Sequence, residues 1–228
     1  MHIEKRPAGL RKANPYESDP ELTTQDRLLW KSVLHWCDEC DERASRYTEE
    51  GFGRIFVYPL SQNEYIVEVN CMLTMQQYEA LFYKVTEHGD TIESQLLQFE
   101  QYEFLEHEDL GKVVTKSPQK GQYMGTGETG EFIRFKDGLT FGLPKFDQKK
   151  KRLIIERRFI GVGGCGFVTE YDLDGNYPRI VEFRANIFCS AKYMPPKKWK
   201  LYPAKQRAKW RQAPNPQRED WKNKDQCR

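Results

Sequence analysis

His35-Trp36-Cys37-Asp38-Glu39-Cys40 places two thiols three residues apart beside an imidazole. Thiolate and imidazole are zinc ligands, but a structural zinc site takes four ligands, usually as two pairs. The chain has no second CxxC, so Cys71, Cys165, Cys189 and His88 or His107 would have to complete the set. Cys37 and Cys40 are therefore metal candidates only in name, and buried free thiols are the expected state. A thioredoxin-like role wants the CxxC at the start of a helix, whereas the expected helix puts it in the middle. Neither a metal nor a cofactor is expected.

Asp172, Asp174 and Glu182-Phe183-Arg184 carry the next candidate chemistry. An Asp on one strand and a Glu-x-Lys on the next is the arrangement of metal-dependent nucleases, where carboxylates hold Mg²⁺ and the Lys orients water. Here Arg184 stands in the Lys position, and a guanidinium does not serve as a base. Alternating polar residues on a one-sided sheet account for the same letters. Gly125-Thr-Gly127-Glu-Thr-Gly130 matches GxGxxG, but without a parallel strand before it and a helix after it a turn is expected. Gly161-Val-Gly163-Gly164-Cys-Gly166 reads as a bulge or tight corner. Asp172–Asn176 lacks the ligand set of a calcium loop.

The C-terminus carries a repeat. Trp199-Lys-Leu-Tyr-Pro203-Ala-Lys-Gln206-Arg207 and Trp210-Arg-Gln-Ala-Pro214-Asn-Pro-Gln217-Arg218 share Trp, a basic neighbour, Pro, Gln and Arg at the same offsets, and Trp221-Lys222 begins a third copy. A Trp beside a cation is a compact anchor: the indole offers area to bury and the cation seeks carboxylate or phosphate. Repetition raises the effective concentration of anchors. The expected partner-binding residues are Trp199, Lys200, Arg207, Trp210, Arg211, Arg218, Trp221 and Lys222. The alternative is that these indoles pack back on the body. The pairs resemble short Trp-basic motifs by which some plastid and carboxysome-type proteins dock onto Rubisco. Those motifs carry an aliphatic residue a few places on, where this chain has Pro203, Pro214 and Asp225.

The elements that must position these residues follow from periodicity. Residues 1–22, with Pro7, Pro15 and Pro20, read as an extended segment. Leu29, Val33, Trp36, Cys40, Ala44 and Tyr47 fall on one helical stripe, which predicts a helix over 24–49 started by Thr24. Residues 54–58 and 64–69 flank a turn and predict a hairpin. Tyr78, Leu81, Phe82 and Val85 predict a helix over 75–88 ended by Gly89. Ile92, Leu96 and Phe99, after a capping pattern at Asp90 and Glu93, predict another over 91–104. Strands are expected at 131–135 and 139–141 around Lys136-Asp137-Gly138, at 152–160, and at 167–173 and 179–189 around Asp174-Gly175-Asn176. The expected fold class is α+β: N-terminal helices packed on a largely antiparallel sheet or small half-open barrel. One domain is expected over 23–192 and a basic Trp/Pro tail over 193–228. Pro at 195, 196, 203, 214 and 216 would keep regular elements out of that tail, so its removal would cost little stability.

Charge is unevenly spread along the 228 residues. Residues 28–110 carry five basic and seventeen acidic side chains, whereas 192–228 carry twelve basic and three acidic. The tail is expected either to fold back on the acidic region or to seek an anionic partner. The longest uncharged, apolar-looking run, Phe159–Val168, has ten residues, against roughly 20 for a membrane span. The charged N-terminus precedes no apolar signal region, so a soluble, intracellular chain is expected. The function expected is that of a non-enzymatic interaction or assembly protein, docking onto a larger acidic protein complex or a nucleic-acid-containing one. The alternative is a small-ligand or catalytic pocket in the β-rich half, marked by a deep, partly polar cavity.

Overall fold

The computed structural model describes residues 1–12, 22, 24–45, 54–73, 77–106, 130–159, 164–187 and 193–215. The chain opens with strand β1 (His2–Lys5), followed by helices α1 (Thr24–Leu34) and α2 (Asp38–Ser45). Up to Ser45 the helix expected over 24–49 is thus two short helices, and residues 46–49 lie outside the described residues. Its stripe is interrupted at His35, which takes φ 54°, a conformation that ends a right-handed helix. Behind the break, the Trp36 indole N–H donates to the Asp41 carboxylate at 3.0 Å. Arg27 donates to the same carboxylate at 2.7 Å, and the hydrogen bonds and charges of Lys31, Arg27 and Trp36 hold the Asp41 carboxyl below its ordinary value. Desolvation opposes that shift, and the hydrogen bonds and cations outweigh it.

Five strands follow: β2 (Ile55–Pro59), β3 (Glu64–Leu73), β4 (Tyr78–His88), β5 (Thr91–Leu96) and β6 (Phe99–Glu106). The β2–β3 hairpin has the expected place, with Pro59 opposite Tyr65. The helices expected over 75–88 and 91–104 are corrected to strands. β4 buries both faces: Leu81, Tyr83 and Val85 enter one apolar cluster, Ala80 and Phe82 another. A strand covered on both faces loses its two-residue alternation, and its apolar letters then mimic helical spacing. Gly89, read as a helix stop, turns the chain from β4 into β5 with φ 62°, leaving His88 opposite Thr91.

The second half adds β7 (Gly130–Asp137), β8 (Leu139–Asp147), β9 (Arg152–Arg158), β10 (Gly166–Asp172) and β11 (Arg179–Asn186). The last described part holds a 3-10 turn (Pro196–Lys198), β12 (Lys200–Leu201), helix α3 (Ala204–Arg207) and β13 (Arg211–Gln212). Ten strands form one sheet in the order β1-β5-β4-β8-β9-β10-β11-β12, with β3 pairing β4 and β2 pairing β3. The second sheet is β13-β7-β6. All pairings are antiparallel except that of β13 with β7.

The fold is mostly β, and the expected α+β class is corrected. Thirteen strands and three helices lie among the described residues. The β10–β11 hairpin around Asp174-Gly175-Asn176 has the expected place. The one expected at Lys136-Asp137-Gly138 does not form. β7 pairs β6 while β8 pairs β4 and β9, so the chain crosses there from one sheet to the other. Asp137 holds the crossing through the Leu139 N–H at 2.9 Å.

Three apolar clusters fill the interior. The first lies between α1, α2 and one face of β2–β5 and includes Trp30, Leu34, Val67 and Ile92. The second includes Ile66, Phe82, Phe99, Leu153 and Tyr171. The third is aromatic: Tyr102, Phe167, Phe183 and Tyr202, with Phe104, Phe132, Phe159 and Trp210 against them.

Candidate interaction surface

Residues 193–215 run as a strap from the large sheet to the small one. At its start β12 pairs β11, Leu201 opposite Arg184, and the Tyr202 N–H donates to the Phe183 carbonyl at 3.1 Å. At its end β13 pairs β7, Arg211 opposite Ile133, and the Ala213 N–H donates to the Arg134 carbonyl at 2.9 Å. Pro203 precedes α3, where its fixed φ suits a helix entry. The prolines therefore shape the strap without excluding regular elements, which corrects the expectation of an extended tail over these residues.

The aromatic groups at 199, 202 and 210 turn inward. Trp199 is 3% exposed, and its indole N–H donates to the Met194 carbonyl at 2.9 Å. Trp210 is half-buried against Phe132, Tyr102, Tyr202 and Phe183. Arg207 is buried as well. Its Nε donates to the Tyr102 hydroxyl at 2.9 Å and its Nη1 to the Tyr202 carbonyl. Burial, reinforced by the neighbouring Glu100, pushes the Tyr102 phenol up, so it stays a neutral donor and acceptor. Of the expected partner-binding residues, Trp199, Arg207 and Trp210 thus have partners inside the molecule. Arg211 is exposed and pairs Glu131 at 2.6 Å. Lys200 is exposed, its Nζ 4.8 Å over the Tyr202 ring. Arg218, Trp221 and Lys222 lie outside the described residues.

The outer face of the strap is cationic. Lys197, Lys198, Lys200, Lys205 and Lys209 are all exposed, and none is paired with a carboxylate among the described residues. Tyr193, Met194 and Leu201 are exposed apolar side chains in the same stretch. Lys197, Lys198, Lys205 and Lys209 did not stand out from the sequence as site residues. Their only signal was the basic count of the segment.

The carboxylates considered for metal chemistry are each tied to a cation. Asp172 accepts from Arg179 at 2.7 Å and from the Asp174 N–H at 3.0 Å. The backbone bond, then Arg179, hold its carboxyl below the usual range. Asp174 pairs Lys151 at 3.0 Å. Glu182 pairs Arg184. Register sets Asp172 opposite Arg179 and Glu182 opposite Glu170, so Asp172 and Glu182 are not opposed across the hairpin. Among the described residues, no three His, Cys, Asp or Glu are grouped to hold a metal ion. Arg184 has a different task. Its Nη1 donates to the carbonyls of Lys197 and Trp199 at 3.3 and 3.2 Å, pinning the strap to β11.

The four cysteines among the described residues are not free. Cys40 is bonded to Cys71, joining α2 to β3, and Cys37 and Cys165 are disulfide-bonded too. The expectation of free thiols is corrected for these four, and sulfurs so bonded are not thiolate metal ligands; Cys189 and Cys227 lie outside the described residues. Of the glycine strings, Gly125–Gly127 and 160–163 lie outside the described residues. Gly166 marks a close approach: it takes φ 144°, and a Cβ there would sit 2.0 Å from the Arg157 carbonyl oxygen.

In the β-rich half, Gln101, Tyr102, Phe135, Arg157, Thr169 and Tyr171 line a cavity of about 30 Å³. That is room for roughly one water molecule, far below the roughly 300 Å³ of a small-molecule site. An open groove of about 530 Å³ lies instead at the N-terminal segment, between Lys5, Arg6, Pro7, Gly9, Leu10 and Asp90. No helix among the described residues is long and apolar enough to cross a membrane. Comparison with protein-family models, curated proteins and solved structures finds no match for this chain.

Proposed function

We propose that this protein is a non-enzymatic interaction module whose strap presents its lysines to an acidic surface of a partner protein. One observation carries the reading. Five exposed lysines at 197, 198, 200, 205 and 209 lie on a segment whose Trp199, Tyr202 and Trp210 are turned inward. A body whose own indoles anchor the strap holds these charges at fixed positions, which lowers the ordering cost of binding. Exposed Tyr193, Met194 and Leu201 beside the lysines favour a protein partner over nucleic acid, because a phosphate backbone offers no counterpart for aliphatic side chains. Two sheets joined by the strap leave the small interior cavity as packing space, with no ligand reading attached. The bonded cysteines weigh against the intracellular compartment expected from the sequence and support maturation in an oxidising one.

The test uses the intact chain and two anionic probes, poly-L-glutamate and duplex DNA of matched charge. Fluorescence anisotropy at low salt is expected to show binding to polyglutamate, weakened at least tenfold by joint Lys→Gln replacement at 197, 198, 200, 205 and 209. Tighter binding to DNA, with a steep salt slope, would move the reading to nucleic acid. Equal binding by wild type and variant would remove the strap from the function altogether.

A further inference from the structure

We propose that the outer edge of β7 is a peptide-binding edge that reads the spacing Trp, cation, two residues, Pro. Strap residues 210–214 are its resident occupant, exchangeable with a partner segment of the same spacing. The two copies of the repeat carry the inference, because the structure docks both in one way. In each copy the two residues after the Trp form a two-residue strand on a sheet edge: Lys200–Leu201 on β11 and Arg211–Gln212 on β7. In each, the N–H three places after the Trp donates to an edge carbonyl, Tyr202 to Phe183 at 3.1 Å and Ala213 to Arg134 at 2.9 Å. In each, the residue two places after the Trp stands opposite an arginine, Arg184 or Arg134. Pro203 and Pro214 come next, and a residue without an N–H donates nothing further to a ladder.

The two edges differ in direction, β12 being antiparallel to β11 and β13 parallel to β7. What the two dockings share is therefore the motif. Main-chain hydrogen bonds supply affinity when a segment adds to a sheet edge, and side-chain contacts supply specificity. At β7 those contacts are the Trp210 indole stacked on Phe132 and the pairing of Arg211 with Glu131.

Several observations make β7 the exchangeable end. Trp210 is half-buried, whereas Trp199 is buried and its segment is pinned by Arg184 through the carbonyls of Lys197 and Trp199. Parallel pairing is the less stable arrangement per residue. The side chains of Arg211 and Glu131 are 55% and 39% exposed, where an ion pair contributes little. The Arg134 Nε is buried without a hydrogen-bond partner, a donor that the resident segment leaves unmet. The resident segment holds its place chiefly because it is tethered, which gives it a high effective concentration at the edge.

The experiment uses the full chain and two fluorescein-labelled octapeptides, residues 208–215 and residues 197–204, each with its Trp third. Anisotropy titration is run on wild type, on Trp210→Ala, which removes the resident anchor, and on Ala213→Pro, which removes the donor to Arg134 and leaves the aromatic cluster untouched. Both peptides are expected to bind the two variants at least tenfold more tightly than wild type. Replacing the peptide Trp by Ala should abolish binding, and adding Glu131→Lys to the Ala213→Pro chain should weaken it at least threefold. Equal binding by wild type and both variants overturns the proposal, as does binding that survives loss of the peptide Trp. Binding of the 208–215 peptide alone overturns it too, because the edge would then not read the shared spacing.

Discussion

The indole of Trp210 is stacked on the ring of Phe132, centroids 4.4 Å apart and planes 15° from parallel. This contact joins the strap to β7 and places a residue first read as a docking anchor within an aromatic cluster. It reverses what truncation should do. Removal of residues 195–228 is expected to destabilise the protein, because it removes the buried Trp199 and strips Tyr202 and Trp210 from the third cluster. Trp199→Ala alone should cost about 3–5 kcal/mol, the usual range for a buried Trp, and lower the melting temperature by about 10 °C. Trp210→Ala, at a half-buried site, should cost less. Thermal unfolding followed by circular dichroism decides the matter: a truncated chain that melts with the full one would return the strap to the status of a free tail.

Arg207 and Tyr102 should be energetically coupled. The two side chains bond across a separation of 105 positions, and each is buried. Arg207→Met leaves the Tyr202 carbonyl short of a donor, an effect of about 1–3 kcal/mol. In a double-mutant cycle with Tyr102→Phe, a coupling of about 1 kcal/mol is expected from urea unfolding. Strict additivity would mean that the bond contributes nothing.

Glu68 should make stability depend on pH. It is 1% exposed, and its carboxylate accepts the Tyr58 hydroxyl at 2.6 Å. Burial pushes its pKa up from 4.5 to about 7, with the Tyr58 bond acting in the opposite direction. In the unfolded chain the carboxyl ionises near its ordinary value. Its contribution to stability is therefore fully present below about pH 4.5, declines as pH rises towards 7, and is lost above that. A shift of this size is on the order of 3 kcal/mol. Glu68→Gln should flatten the wild-type decline in urea midpoint between pH 5 and pH 8. A variant that keeps the full slope would assign it to other groups.

Glu182→Gln should change little. Glu182 is a partly exposed partner of Arg184, and pairs of that kind contribute about 0–1 kcal/mol. Binding to polyglutamate and the melting temperature should both stay near wild type. Metal-dependent nuclease activity abolished by this substitution would contradict the non-enzymatic reading.

By itself the sequence determined the features that are local in the chain. Turn residues at 59–63 and 174–176 specify the β2–β3 and β10–β11 hairpins, because Pro, Gly, Asn and Asp act on their own backbone. Thr24 marks the start of α1, and the concentration of positive charge after residue 192 is legible as a count. Tertiary structure decided the rest. Tyr78–His88 is a strand because apolar groups wait on both of its faces, which a helical reading of the same spacing does not show. Asp137 and Gly138 carry a crossing between sheets because β7 finds its partner in β6. The pairing of Cys40 with Cys71 required α2 to lie on β3, across a separation of 31 positions. Finally, the repeat supplied both indoles and cations, but Phe132, Tyr102 and Phe183, remote in sequence, turned the indoles inward and left the lysines to solvent.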